Sequence, residues 1–235
     1  MFVQLVQHTP EPERVVAAAA RLCYSAASVD RLLEQEPQER RRLLEKILAL
    51  GHLSVLEHAV FTFAVEGISR ACSHQLVRHR LASFSQQSQR YVSHRERFAA
   101  VVPPSIAARP ELQRRYAELL DEIHRLYRDL VEAGVPPEDA RFVLPNAAQT
   151  KLVLTMNARE LRHFFALRCC RRAQWEIREL ASAMLHIVRA AAPQLFAGAG
   201  PACLNGHCPE GSLTCGNVEQ VRREFSQPGL AAKES

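Results

Sequence analysis

The chain has 235 residues, of which 47% are hydrophobic and 23% charged, and its formal net charge is +5. That length suits one large domain or two small ones, and the composition excludes disordered, fibrous and collagen-like classes. No apolar run approaches the ~18 residues of a membrane span, and the alternating N-terminus does not read as a signal peptide.

Residues 2–8 alternate polar and apolar side chains and predict a strand. Glu11 to Leu22 is Ala-rich and predicts a helix, started by Thr9 with Pro10 at its first turn. Arg31 to Leu50 predicts a second, amphipathic helix with Leu43, Leu44, Ile47 and Leu48 on its apolar face, stopped by Gly51. Ala59 to Glu66 predicts a strand broken by Gly67. Ile68 to about Arg80 has helical period, so Gln75, Arg78 and His79, at i, i+3 and i+4, share one face.

A dense polar run follows, from Arg78-His79-Arg80 through a Ser/Gln stretch to Arg90-Tyr91. It reads as a loop that wraps an anionic, hydrogen-bonding ligand, since so many polar groups need partners when buried. Tyr91-Val92 opens a further strand, and 101–110 is a Pro-rich connector. Pro110 to Ala133 is the longest helix; Leu112, Tyr116, Leu119, Leu120, Ile123, Leu126, Tyr127 and Leu130 fall at heptad-like spacing, which suits core or subunit packing. Gly134 caps it, and Pro136 to Arg141 opens a short helix that Pro145 ends. Thr150 to Met156 predicts a strand. Asn157 caps the next helix with Glu160 as its capping-box partner, and that helix runs to about Arg168. Ala173 to Ala192 is the last long helix, and the final ten residues are expected to be disordered. Strands and helices segregate, which predicts an α+β single domain.

Several chemistries can be weighed directly. His52, Glu57 and His58 do not match the i, i+3 or i, i+4 spacing of helical zinc pairs. Cys203, Cys208 and Cys215 beside His207 could hold zinc or form a disulfide, but fit no C-x2-C knuckle. No metal site is assigned. Seven Cys without an export signal predict reduced thiols and a cytoplasmic protein. Neither a G-x-G-x-x-G turn, a Walker loop nor a G-x-S-x-G elbow occurs, so side chains and loop amides must hold any nucleotide. Of the 30 cationic residues only Lys46, Lys151 and Lys233 are Lys, and guanidinium forks suit phosphate and carboxylate ligands. Arg90, Tyr91, Arg95, Arg97 and Phe98 interleave basic and aromatic residues, which leaves a nucleic-acid patch as a competing reading.

At the polar run the sequence resembles the flavin-dependent thymidylate synthases, whose signature is Arg-His-Arg, seven residues, then Ser. Here it stands as Arg78-His79-Arg80 with Ser88, followed by Arg90-Tyr91. Gly51-His52 through Glu57-His58, Phe61-Thr62-Phe63, Gly134-Val135-Pro136 through Ala140-Arg141, Asn157-Ala158-Arg159, Leu167-Arg168 and Ala173-Gln174-Trp175-Glu176-Ile177 extend it over roughly residues 1–195.

The resemblance implies a mainly antiparallel sheet flanked by long helices, in a homotetramer with active sites at subunit interfaces. The implied domain spans 1–200, with 201–235 a Cys-containing tail outside it. It implies FAD as cofactor, with NADPH and methylenetetrahydrofolate as co-substrates, and methylation of dUMP to dTMP without nucleic acid or membrane partners. By position, the flavin would be held by Ser54, Arg78, His79, Arg80 and Gln86, and by Asn157, Ala158, Arg159 and His163. The nucleotide would be held by Gln75, Leu76, Val77 and Arg78, by Gln86, Gln87, Ser88, Gln89 and Arg90, and by Arg141 and Arg168. Arg168 matches the family's activating Arg, which favours ionisation of the uracil ring. Many relatives carry Glu at the position of Gln86 and others His at that of Arg172. With the flavin as reductant no enzyme thiolate is needed, so Cys23 is not assigned as a nucleophile.

Overall fold

The structure is a computed structural model and describes residues 1–92 and 97–226. In chain order the elements are β1 (Phe2–His8), α1 (Pro12–Leu22), α2 (Val29–Leu33), α3 (Pro37–Leu50), a 3-10 helix (Leu53–His58), β2 (Val60–Ser69), α4 (Arg70–Leu76), β3 (Ala82–Gln86), α5 (Pro104–Ala107) and α6 (Pro110–Glu132). Then come α7 (Pro137–Ala140), β4 (Gln149–Asn157), α8 (Ala158–Arg168), α9 (Trp175–Ala191) and α10 (Val218–Ser226). The four strands form one antiparallel sheet in the order β1-β2-β4-β3, so the class is α+β as expected.

By contacts the chain divides into two compact units, and all four strands contribute residues to each. One holds Met1–Phe2, Ala64–Arg78 and Phe84–Val153. Its buried apolar residues include Val65, Ile68, Cys72, Leu76, Tyr127 and Leu152. On α6 only Tyr127 is buried, while Leu112, Leu119 and Leu126 stand exposed along the helix. The sequence left core and subunit packing open for this helix; Tyr127 joins the core, Tyr116, Leu120, Ile123 and Leu130 are half-buried, and the three Leu are not core within this chain.

The other unit holds Val3–Phe63, His79–Ser83 and the described chain from Leu154 onward. Its core is aromatic. Phe61 of β2 meets Phe196 edge-on at 5.3 Å, and Phe165 of α8 meets the same ring at 6.1 Å. Leu161, Phe164, Ile177, Leu180, Met184 and Val188 are also fully buried. Helix α8 packs on α9 and on the 3-10 helix at Leu53–His58.

The strands β1 and β4, helices α6 to α9 and the caps at Gly51 and Gly134 lie where the sequence places them. Other expectations are corrected. Helix α1 starts at Pro12 after Glu11 (φ 43°), not at Thr9; the Thr9 hydroxyl instead accepts the Val60 N–H at 2.9 Å. The 31–50 helix is two helices, because Pro37 cannot continue the first and is favoured in the first turn of the next. Gly67 does not break β2, which runs through it at φ 74°, a conformation that costs glycine little. Consequently Ile68 and Ser69 belong to the strand, and α4 is only Arg70–Leu76, its start capped by the Ser69 hydroxyl accepting from Cys72 N–H. Arg78 and His79 therefore lie beyond the helix and do not share a helical face with Gln75. The polar run is not one loop, since residues 82–86 form β3, and Tyr91 and Val92 lie in a turn and a bend rather than a strand. The Pro-rich connector contains α5. The expectation of terminal disorder falls on residues outside those described, apart from the last residue of α10.

Candidate active site

Within the first unit the site residues gather around Gln86 at the end of β3. Its amide Nε2 donates to the Ser73 hydroxyl at 3.0 Å and to the Thr150 hydroxyl at 3.1 Å. Both hydroxyl residues are buried, Ser73 fully. An amide group has two N–H donors and one carbonyl acceptor. With both donors held by hydroxyls, Gln86 presents its carbonyl as an oriented acceptor. The next residue is tied to β4 by Gln87 N–H donating to Lys151 C=O at 3.0 Å. Ser88 accepts the Arg90 N–H on its hydroxyl at 3.1 Å and the Val92 N–H on its carbonyl. Arg90 reaches Glu138 at the start of α7, with Nε 2.9 Å from the carboxylate. Arg141 Nε donates to the Glu138 carbonyl. Burial, and secondarily the Arg141 charge, lowers the Arg70 guanidinium below its ordinary range. Leu76 is buried, Val77 and Arg78 are exposed, and Gln75 and Gln89 are half-buried.

Within the second unit the site residues gather on α8. Asn157 caps the helix, its Oδ1 accepting the Glu160 N–H at 2.8 Å, and the Ala158 N–H bonds Ala59 C=O. Arg159 is ion-paired to Glu57 of the 3-10 helix at 2.6 Å, and Ser54 of the same turn is exposed. The second half of the expected capping box is replaced: the Glu160 carboxylate turns to His79, Oε1 lying 3.0 Å from Nδ1. The other ring nitrogen, Nε2, lies 3.1 Å from Arg168 Nε. Phe164 stands edge-on to the same imidazole at 4.9 Å, and His163, itself exposed, lies 6.1 Å away. Arg80 is exposed. Sequence reasoning missed Glu57 and Glu138 as charge partners, Ser73 and Thr150 as the hydroxyls that set Gln86, and Glu160 as anything beyond a cap. Helical spacing carries a signal only for the last.

Burial lowers the His79 pKa most; the hydrogen bond to Glu160 raises it, the Arg168 charge lowers it, and the result lies below the ordinary value. The unfolded side chain titrates near 6.5. Below that pH the unfolded chain takes up a proton that the folded chain refuses, so stability falls on acidification from about 6.5 toward the folded pKa and is unaffected above. One such group gives a slope of at most about 1.4 kcal/mol per pH unit. Unfolding followed from pH 7.5 to 5.5 should show this slope, and His79→Gln should flatten it.

Two charges of the competing nucleic-acid patch stand in exposed ion pairs. Arg90 pairs with Glu138 and Arg97 with Asp121, while Phe98 is buried and tilts against His124. Arg95 lies outside the described residues. None of the seven cysteines is in a disulfide, and among the described residues no group of three His, Cys, Asp or Glu side chains is arranged to hold a metal. Burial pushes the Cys169 thiol up to about 12 and the Cys203 thiol upward, so neither is a ready nucleophile. Among the described residues no helix is long and apolar enough to cross a membrane.

Residues 4–194 match the model of a family described as thymidylate synthase complementing protein. The chain is 57% identical over 232 residues to a flavin-dependent thymidylate synthase of Geobacter sulfurreducens, covering 98% of this chain and 100% of that protein. It is 50% identical over 232 residues to one of Nitratidesulfovibrio vulgaris, covering 91% and 94%. With one of Clostridium tetani it shares 43% identity over 240 residues, covering 95% and 96%. The Arg-His-Arg motif with Ser88, the capped α8 and this end-to-end similarity place the chain in one family: it belongs to the flavin-dependent thymidylate synthases.

Proposed function

We propose that this protein methylates dUMP to dTMP, taking the carbon from methylenetetrahydrofolate, with FAD as cofactor and NADPH as reductant. The observation that carries this reading is Arg168, a guanidinium fixed at the end of α8 by the His79 of the Arg-His-Arg motif. The donor set suits the flavin, whose diphosphate is anionic and whose ring offers acceptors. Arg78, Arg80 and Arg159 are exposed cations, and Ser54 and Asn157 add neutral donors. His79, Gln86, Ala158 and His163 complete the residues assigned to it. When bound, FAD supplies the hydride that turns the transferred carbon into a methyl group.

The chain's own residues account for the nucleotide. Gln75, Leu76, Val77 and Arg141, with Gln87 and Gln89, are assigned to its binding, and Arg78, Ser88 and Arg90 to its phosphate. Arg90 would exchange Glu138 for the phosphate. That exchange costs little, because an exposed ion pair is worth about 0–1 kcal/mol. The Gln86 carbonyl, oriented by Ser73 and Thr150, offers the base an acceptor without a charge. Arg168 stabilises negative charge that develops on the uracil ring.

We assign 1–200 to the synthase domain and 201–235 to a tail. Within the second unit that tail is tied down where it is described: Val221 is buried and Glu224 pairs with Arg171. The exposed Leu112, Leu119 and Leu126 recur every seven residues on α6, which supports packing against other copies in a homotetramer. The unbridged cysteines support a cytoplasmic location.

The test is release of tritium from C5-labelled dUMP by the purified protein with FAD. Release that requires both NADPH and methylenetetrahydrofolate is the expected result. A protein that binds neither flavin nor dUMP, or releases no tritium with both co-substrates present, would refute the reading.

A further inference from the structure

We propose that Glu160 is a positioning residue: acting through His79, it sets the orientation of the Arg168 guanidinium. The role in turnover rests on the thymidylate reading above; the orientation itself does not.

Guanidinium nitrogens only donate hydrogen bonds. Arg168 Nε lies 3.1 Å from His79 Nε2, so that ring nitrogen must accept and carries no hydrogen. A neutral imidazole then bears its proton on Nδ1, which lies 3.0 Å from Glu160 Oε1. The carboxylate accepts it. The tautomer is thus fixed from both ends. Water cannot easily replace either partner, since the His79 and Glu160 side chains are only 4% and 6% exposed. The groups facing His79 are Glu160, Arg168 and His163, with Phe164 edge-on at 4.9 Å.

The chain of support starts at the helix cap. Asn157 holds the Glu160 backbone N–H at 2.8 Å, which fixes the third residue of α8. Glu160 then fixes the ring, and the ring fixes Arg168 at Nε. That nitrogen bears a single hydrogen and sits between the side-chain stem and the fork. Anchoring it sets the rotation of the whole guanidinium plane. The cap itself uses only the Glu160 backbone, so it gives no reason for a buried carboxylate.

Acceptor-only chemistry is the point of the Glu. A Gln at this position could turn its NH2 toward Nδ1. The imidazole proton would then move to Nε2 and face the Arg168 Nε–H, donor against donor. Asp keeps acceptors only, on a shorter stem.

The experiment is nitrogen-15 NMR of histidine-labelled, ligand-free protein, for wild type, Glu160→Gln and Glu160→Asp, paired with steady-state kinetics. Wild type should show His79 as the Nδ1–H tautomer. Glu160→Gln should show Nε2–H or a mixture, with kcat down about tenfold and the dUMP KM changed less than threefold. Glu160→Asp should keep Nδ1–H and a higher kcat than the Gln variant. A wild-type Nε2–H tautomer overturns the proposal without any variant having to fold. So does an unchanged tautomer in Glu160→Gln, or a changed one with kcat within twofold of wild type. Were wild type to make no dTMP, the functional reading would fall, while the NMR would still decide whether Glu160 selects the tautomer that holds Arg168.

Discussion

Replacing Arg168 with Ala should lower dTMP formation about 10²–10³-fold, the cost usually seen when one donor to a developing oxyanion is removed. Arg168 ends α8 and is held by its Nε at 3.1 Å from His79. A guanidinium so held need not reorganise when charge appears on the uracil ring, and that preorganisation is what the substitution removes. The effect should fall on kcat more than on dUMP affinity, because Arg78, Ser88 and Arg90, which we assign to the phosphate, remain. Arg168→Lys separates charge from geometry. An ammonium keeps the cation but has no Nε to hold and no planar fork, so it should recover about tenfold at most. Tritium release, dUMP titration and particle size by light scattering check the three parts of this expectation. Turnover above a tenth of wild type in Arg168→Ala, at unchanged particle size, would remove Arg168 from the activating role. Normal dUMP binding by wild type without turnover would instead mark an inactive member of the family.

What the sequence disclosed and what it hid follow one physical line. Features set by nearby residues were legible. Gly51 and Gly134 adopt positive φ at helix ends as read, and Asn157 caps α8. The Arg-His-Arg motif with Ser88 is a local spacing, and it pointed to the right family. Features set by distant partners were not legible. His79 meets Glu160 across 81 residues, and Gln86 meets Thr150 across 64. Helical period suggested a single helix to Arg80 because the apolar Ile68, Ala71, Cys72 and Leu76 fall on one side, yet α4 stops at Leu76 and β3 takes part of the polar run. Gly67 misled for a related reason. Glycine marks a turn by local rules, but here it lets a strand continue past Met1, whose Cα lies 3.6 Å from where a Cβ would stand. The capping box was half right: the backbone bond formed, and the carboxylate went to a buried imidazole that no local pattern signals.

Phe164→Ala should be the costliest change to stability considered, at about 3–5 kcal/mol. The ring is fully buried on α8, tilted against Phe165 at 5.7 Å and edge-on to His79 at 4.9 Å. Truncation removes apolar area and leaves a cavity that rigid neighbours cannot fill, since Phe165 is itself pinned against Phe196. For a chain of this size the loss corresponds to a melting point lower by roughly 10 °C. Phe164→Leu keeps most of the volume and should cost less than about 1.5 kcal/mol. It nevertheless removes the aromatic edge beside the imidazole, so the Leu variant should lose more kcat than stability. Calorimetry and kinetics on the pair separate packing from orientation. If Leu and Ala variants lost kcat in proportion to stability, Phe164 would be core alone. If Leu lost kcat while melting near wild type, the ring would be the wall that keeps His79, and through it Arg168, in place.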